Sequence, residues 1–75
     1  MKSNQKKTIE SVVEQLRTLA PQIEEIRDNI EEIFDSRSEN WRESEKGEEM
    51  QDEIDSLYDA TDMFDELIDA LDSMI

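Results

Sequence analysis

The sequence predicts an all-α protein, an antiparallel two-helix hairpin that dimerises into a four-helix bundle. Three observations carry that prediction. Two long stretches repeat their apolar residues in alternating steps of three and four, the spacing of one face of a helix. A polar, serine-rich stretch lies between them and breaks the repeat. Proline and glycine occur once each, so little else interrupts helix formation.

The first helix is expected over about residues 8–34, with residues 2–7 frayed. Its apolar residues begin at Ile9 and run through Val12, Leu16, Leu19, Ile23, Ile26, Ile30 and Ile33. In heptad terms Ile9, Leu16, Ile23 and Ile30 occupy a, and Val12, Leu19, Ile26 and Ile33 occupy d. Val13, Ala20 and Phe34 widen the stripe on the e side. Pro21 removes a donor and crowds the carbonyl of Arg17. It falls at f, away from the stripe, and the repeat keeps phase across it. One kinked helix is therefore expected rather than two.

Residues 35–44 read as the connection. Ser36 with Glu39 fits a capping box, and Ser44 is a second N-cap candidate. A short helical turn is expected near Trp41. The second helix is expected over about residues 45–74. Met50, Leu57, Phe64 and Leu71 take d, while Ile54, Thr61, Ile68 and Ile75 take a. Ala60, Leu67 and Met74 widen this stripe on the g side. Each helix thus carries about three apolar positions per heptad, more than a two-helix seam uses. A second hairpin would cover the surplus, so a homodimer is expected, with a different protein in the same groove as the alternative.

Composition narrows the function. A chain of 75 residues forms one domain, residues 1–75, with a small core. Cysteine and histidine are absent. Disulfides and the nitrogen- and sulfur-ligated metal sites are excluded on that account, and the commonest general base is missing. Neither a glycine-rich phosphate loop nor a base beside Ser44, Ser56 or Ser73 is present. The expectation is a protein without enzymatic activity, catalytic residues, cofactor or metal. The start lacks the apolar region of a signal peptide, and no apolar run approaches a membrane span. A cytoplasmic protein without membrane contact is expected. The net charge of −14 argues against direct binding of nucleic acid and favours a basic protein partner.

That charge is concentrated. Up to Arg42 there are nine acidic and seven basic residues; from Glu43 onward there are thirteen acidic residues and one basic, Lys46. Seven aspartates recur at steps of three or four from Asp52 to Asp72. Like charges at that spacing repel, by about 0.2–0.5 kcal/mol per pair. One reading is a solvated outer face relieved by Lys6, Lys7, Arg17, Arg27 and Arg37. Another is mimicry of a nucleic-acid backbone, because such residues rise about 4.5–6 Å along the axis, comparable to successive phosphates. Calcium binding is disfavoured because calcium loops need a turn and backbone oxygens, and the helix has no glycine after Gly47. The candidate partner-binding residues are Asp55, Asp59, Asp62 and Asp69, with Trp41 as an aromatic anchor or a cover for the end of the core. Tyr58, at e, is expected to be half buried with its hydroxyl in water.

The stretch SENWRESEKGEEMQDEIDSLYDATDMFDELIDAL, residues 38–71, resembles a group of small acidic helical proteins of phages and prophage-like regions. In that group a Ser-Glu-Lys/Arg-Gly-Glu segment opens an Asp-rich helix, matched here by Ser44, Glu45, Lys46, Gly47 and Glu48. The resemblance implies an accessory protein of a phage or mobile element. It carries over no site residues. The hairpin also invites comparison with the secreted Trp-x-Gly hairpin proteins, but Trp41-Arg42-Glu43 lacks their glycine. Two functions stay open: a protein-binding or assembly module, and an acidic mimic that inhibits a DNA- or RNA-binding protein of the host.

Overall fold

The computed structural model describes residues 2–75. It is all-helical, with α1 at Ser3–Asp35, α2 at Glu39–Arg42 and α3 at Glu45–Asp72. The described residues form a rod of 58 × 15 × 13 Å with a radius of gyration of 17.2 Å. A compact ball of this length would have a radius of about 11 Å, so the shape is set by the length of its helices.

α1 starts at Ser3, five residues before the expected boundary. The reason is local. The side chain of Gln5 accepts the backbone N–H of Lys2 at 3.1 Å, and that of Asn4 accepts the N–H of Gln5 at 3.0 Å. These contacts satisfy donors that a bare helix start would leave open. Pro21 lies inside α1 on its exposed side, so the helix passes through the proline without a break.

The connection corrects one capping assignment. Ser36 is the C-cap of α1, with φ −79° and ψ −11°, a helical geometry that an N-cap does not adopt. Its hydroxyl donates to the carbonyl of Ile33 at 2.7 Å. Ser38, extended at φ −63° and ψ 155°, caps α2 by accepting the N–H of Trp41. Ser44 caps α3 by accepting the N–H of Gly47 at 3.3 Å, and its hydroxyl donates to the Trp41 carbonyl.

Gly47 has a steric reason to be there. A Cβ at this position would run into the backbone carbonyls of Trp41 and Arg42. The end of α2 is thereby allowed to press against the first turn of α3.

α1 and α3 lie side by side. Arg17 meets Asp72, Arg27 meets Thr61, and Glu31 meets Tyr58. The number on α3 falls as the number on α1 rises, so position n of α1 lies roughly level with position 89 − n of α3. Between them Val13, Ala20, Ile54 and Ile68 are buried, together with Thr61. Ile9, Leu16, Ile23, Ile30 and Phe34 are half buried, as are Met50, Leu57, Phe64 and Leu71. The contact line on α1 therefore runs between a and e, not between a and d.

Candidate interaction surfaces

The offset of the contact line leaves one side of the rod open. The d residues of α1 are 40% exposed at Val12, 46% at Leu19, 54% at Ile26 and 40% at Ile33. Each stands one residue from the contact line, which is a turn of about 100°. Leu67 of α3 stands in the same relation to Ile68 and is exposed, as is Met74 just beyond the helix end. The two stripes share a side: Ile26 and Ile30 of α1 line one groove with Leu57, Ser56, Asp52 and Glu53 of α3. Exposed apolar residues aligned along a rod form a patch of the kind that marks an interaction surface.

Most of the aspartates stand away from this side, Asp52 on the rim of the groove being the exception. Asp55, Asp62 and Asp69 each follow a buried residue, Ile54, Thr61 or Ile68, and so turn about 100° the other way. They are exposed, as is Asp59. Asp55 accepts a hydrogen bond from Gln51 at 3.0 Å. Among the described residues none of these four takes part in an ion pair; the pairs found are Arg17–Asp72 at 3.4 Å and Arg27–Asp28 at 3.1 Å. The expected relief by five cations thus reduces to Arg17. Arg27 turns inward, Arg37 stacks over the Trp41 ring at 4.8 Å, and Lys6 and Lys7 make no ion pair among the described residues.

Among the described residues the three cross-helix polar contacts lie on this acidic side, and two of them gather around Arg27. Its guanidinium sits 4.4 Å above the Tyr58 ring. It donates through Nη1 to the hydroxyl of Thr61 at 3.3 Å and through Nε and Nη2 to Asp28. The Thr61 hydroxyl in turn lies 2.8 and 3.0 Å from the carbonyls of Tyr58 and Leu57. Tyr58 donates to Glu31 at 2.7 Å, so its hydroxyl is engaged rather than left to water as expected. That hydrogen bond, then desolvation and the Glu31 charge, raise the Tyr58 pKa above its ordinary value, with Arg27 pulling the other way. For Arg27 desolvation opposes the charge, but Asp28, Tyr58 and Glu24 outweigh it and the pKa is raised.

Trp41 is half buried on α2, apart from the exposed aspartates of α3. Arg42, beside it, lines a shallow groove with Phe34, Glu39 and Glu43. Its Nε is buried and without a hydrogen-bond partner among the described residues.

Among the described residues no three carboxylates are gathered as metal ligands would be. None of the described helices is long and apolar enough to cross a membrane. No family model, curated protein or solved structure matches the chain.

Proposed function

We propose that this chain is a non-enzymatic assembly and protein-binding module, an antiparallel helical hairpin that pairs with a second copy into a four-helix bundle. The observation that carries the reading is the open apolar side, with Val12, Leu19, Ile26 and Ile33 exposed beside Leu67 and Met74. A hairpin this slender buries few side chains by itself. A second copy covers the apolar side of both, as small domains commonly require, and leaves the acidic sides outward. A different protein in the same groove is the alternative occupant.

Mass measurement in solution tests it. The chain is expected to be a dimer at micromolar concentration. The double variant Leu19→Glu with Ile26→Glu places charges on the apolar side and is expected to give a helical monomer. A wild-type chain that stays monomeric and stably helical at high concentration sinks the proposal.

A second reading rests on the free charge of Asp55, Asp59, Asp62 and Asp69, which lie on the side that assembly leaves open. They support an acidic decoy that occupies the nucleic-acid site of a basic host protein, as the resemblance to phage and prophage-region proteins would suit. Replacing all four by asparagine keeps shape and removes four charges. Stability is expected to hold or rise, since surface changes are small and repulsion is relieved. Binding to a basic partner is expected to fall, mainly through the on-rate, and to weaken steeply with salt. If binding survives the asparagines but is lost on Trp41→Ala, the acidic side is only solvated surface.

A further inference from the structure

The self-pairing proposed above leaves the orientation of the two copies open, and the layout of charge along the rod bears on it. α1 outruns α3 at one end. Arg17 is level with Asp72, and Ile75 shares a groove with Glu10, Val13 and Glu14. The first turns of α1 therefore project past α3, by roughly 10–15 Å at 1.5 Å per residue. Lys2, Lys6 and Lys7 all lie on this projection and are exposed, Lys6 at e and Lys7 at f, beside the apolar stripe and not on it.

The other end of the rod is acidic on its apolar side. There the groove floored by Ile26, Ile30 and Leu57 is rimmed by Asp52 and Glu53. Glu49, one turn earlier on α3, is exposed as well.

The apolar stripe of α1 is centred between Leu19 and Ile26. A two-fold axis at that centre, perpendicular to the rod, sets Leu19 of one copy level with Ile26 of the other, and Val12 level with Ile33. By the same operation Lys6 and Lys7 fall level with the first turns of the second copy's α3, where Glu49, Asp52 and Glu53 stand. We propose that two copies dock antiparallel through their apolar sides, the lysine-bearing projection of each lying level with the acidic first turns of the other's α3. A parallel pair would set rim against rim and lysine against lysine. Like charges brought together in this way disfavour one orientation, as flanking charges do in paired helices.

This inference rests on the self-pairing reading, and the test separates the two. The chain contains no cysteine, so Asn40→Cys on exposed α2 carries a single spin label. Dipolar spectroscopy of the labelled chain is expected to give a separation of about 45–50 Å, from the helical rise and the position of the two-fold. Mixing copies labelled at Asn4→Cys with copies labelled at Asn40→Cys is expected to add a short distance. A separation under about 30 Å between Asn40 labels, two helix diameters and more, would mean a parallel pair and overturn the orientation alone. Absence of coupling, with the mass of one chain, would overturn self-pairing with it. A charge exchange supplies an independent readout. Lys6→Glu with Lys7→Glu is expected to weaken pairing roughly tenfold, by turning the attraction between charges at the same level into repulsion. Adding Asp52→Lys and Glu53→Lys to the same chain is expected to restore it; failure to restore would count against the proposed contact.

Discussion

Tyr58 is the only tyrosine in the chain, so its ionisation is read directly from phenolate absorbance. Its folded pKa is raised from 10.0, first by the hydrogen bond to Glu31. The sign of the linkage follows. A raised folded pKa means that the interaction contributes fully below the unfolded value and is lost as pH climbs through the folded one. The titration midpoint is therefore expected above 10.0, and stability is expected to fall in that alkaline range. Glu31→Gln is expected to lower the midpoint; a wild-type midpoint at or below 10.0 would refute the contact. The residues of this cluster were only partly legible. Thr61 was placed correctly on the contact line, because its spacing continues that of Ile54 and Ile68. Arg27 reads from the sequence as a surface cation. The signal was present, however: Arg27 interrupts the e-side run of Val13, Ala20 and Phe34, and Thr61 interrupts the a-side run of isoleucines. An antiparallel pairing brings the two interruptions level, and only the pairing shows that they answer each other. A polar contact at one level of an otherwise apolar seam is a device for holding register.

At the scale of the element, the long helices follow from periodicity and the ends do not. The interior of α1 and of α3 was legible because the three-four repeat runs unbroken through each. The start of α1 was not, because its caps are side-chain contacts of Asn4 and Gln5 with no apolar pattern behind them. The cap of α2 went to Ser38 instead of Ser36 because backbone geometry, two residues apart, decides between two identical side chains. Pro21 was placed correctly inside one helix, since the repeat keeps phase on both sides of it. A proline there forgoes the hydrogen bond to Arg17 and disfavours the helix by up to about 3 kcal/mol relative to alanine. Pro21 is exposed, so nothing packed against the ring offsets that loss. Pro21→Ala is expected to raise the melting temperature, by an amount equivalent to roughly 1–3 kcal/mol. A lower melting temperature would show that α1 needs the proline to follow α3.

At the scale of the whole molecule the exposures of Ile54 and Ile26 separate what one chain buries by itself from what it leaves open. The sequence predicted that each helix has apolar surface to spare, and both surpluses are present. It did not predict how the surplus divides. On α1 the e residues face α3 and the d residues are left over, because small Val13 and Ala20 let the helices approach on that side while Arg27 reaches across it. Ile54 is 2% exposed within a single chain, whereas Ile26 is 54% exposed. Ile54→Ala removes buried methyl groups and is expected to destabilise by about 2–5 kcal/mol at every protein concentration. Ile26→Ala touches nothing that one chain buries deeply. In a lone hairpin it would be worth no more than about 0.5 kcal/mol, as exposed positions usually are. In the proposed bundle Ile26 would be covered, and its truncation would weaken the pairing. The loss then grows with protein concentration, because binding stabilises by mass action. Thermal melts of both variants across a hundredfold dilution series are expected to show a constant deficit for Ile54→Ala and a vanishing one for Ile26→Ala. A constant, small deficit for Ile26→Ala at all concentrations would leave the apolar side without a second copy to cover it.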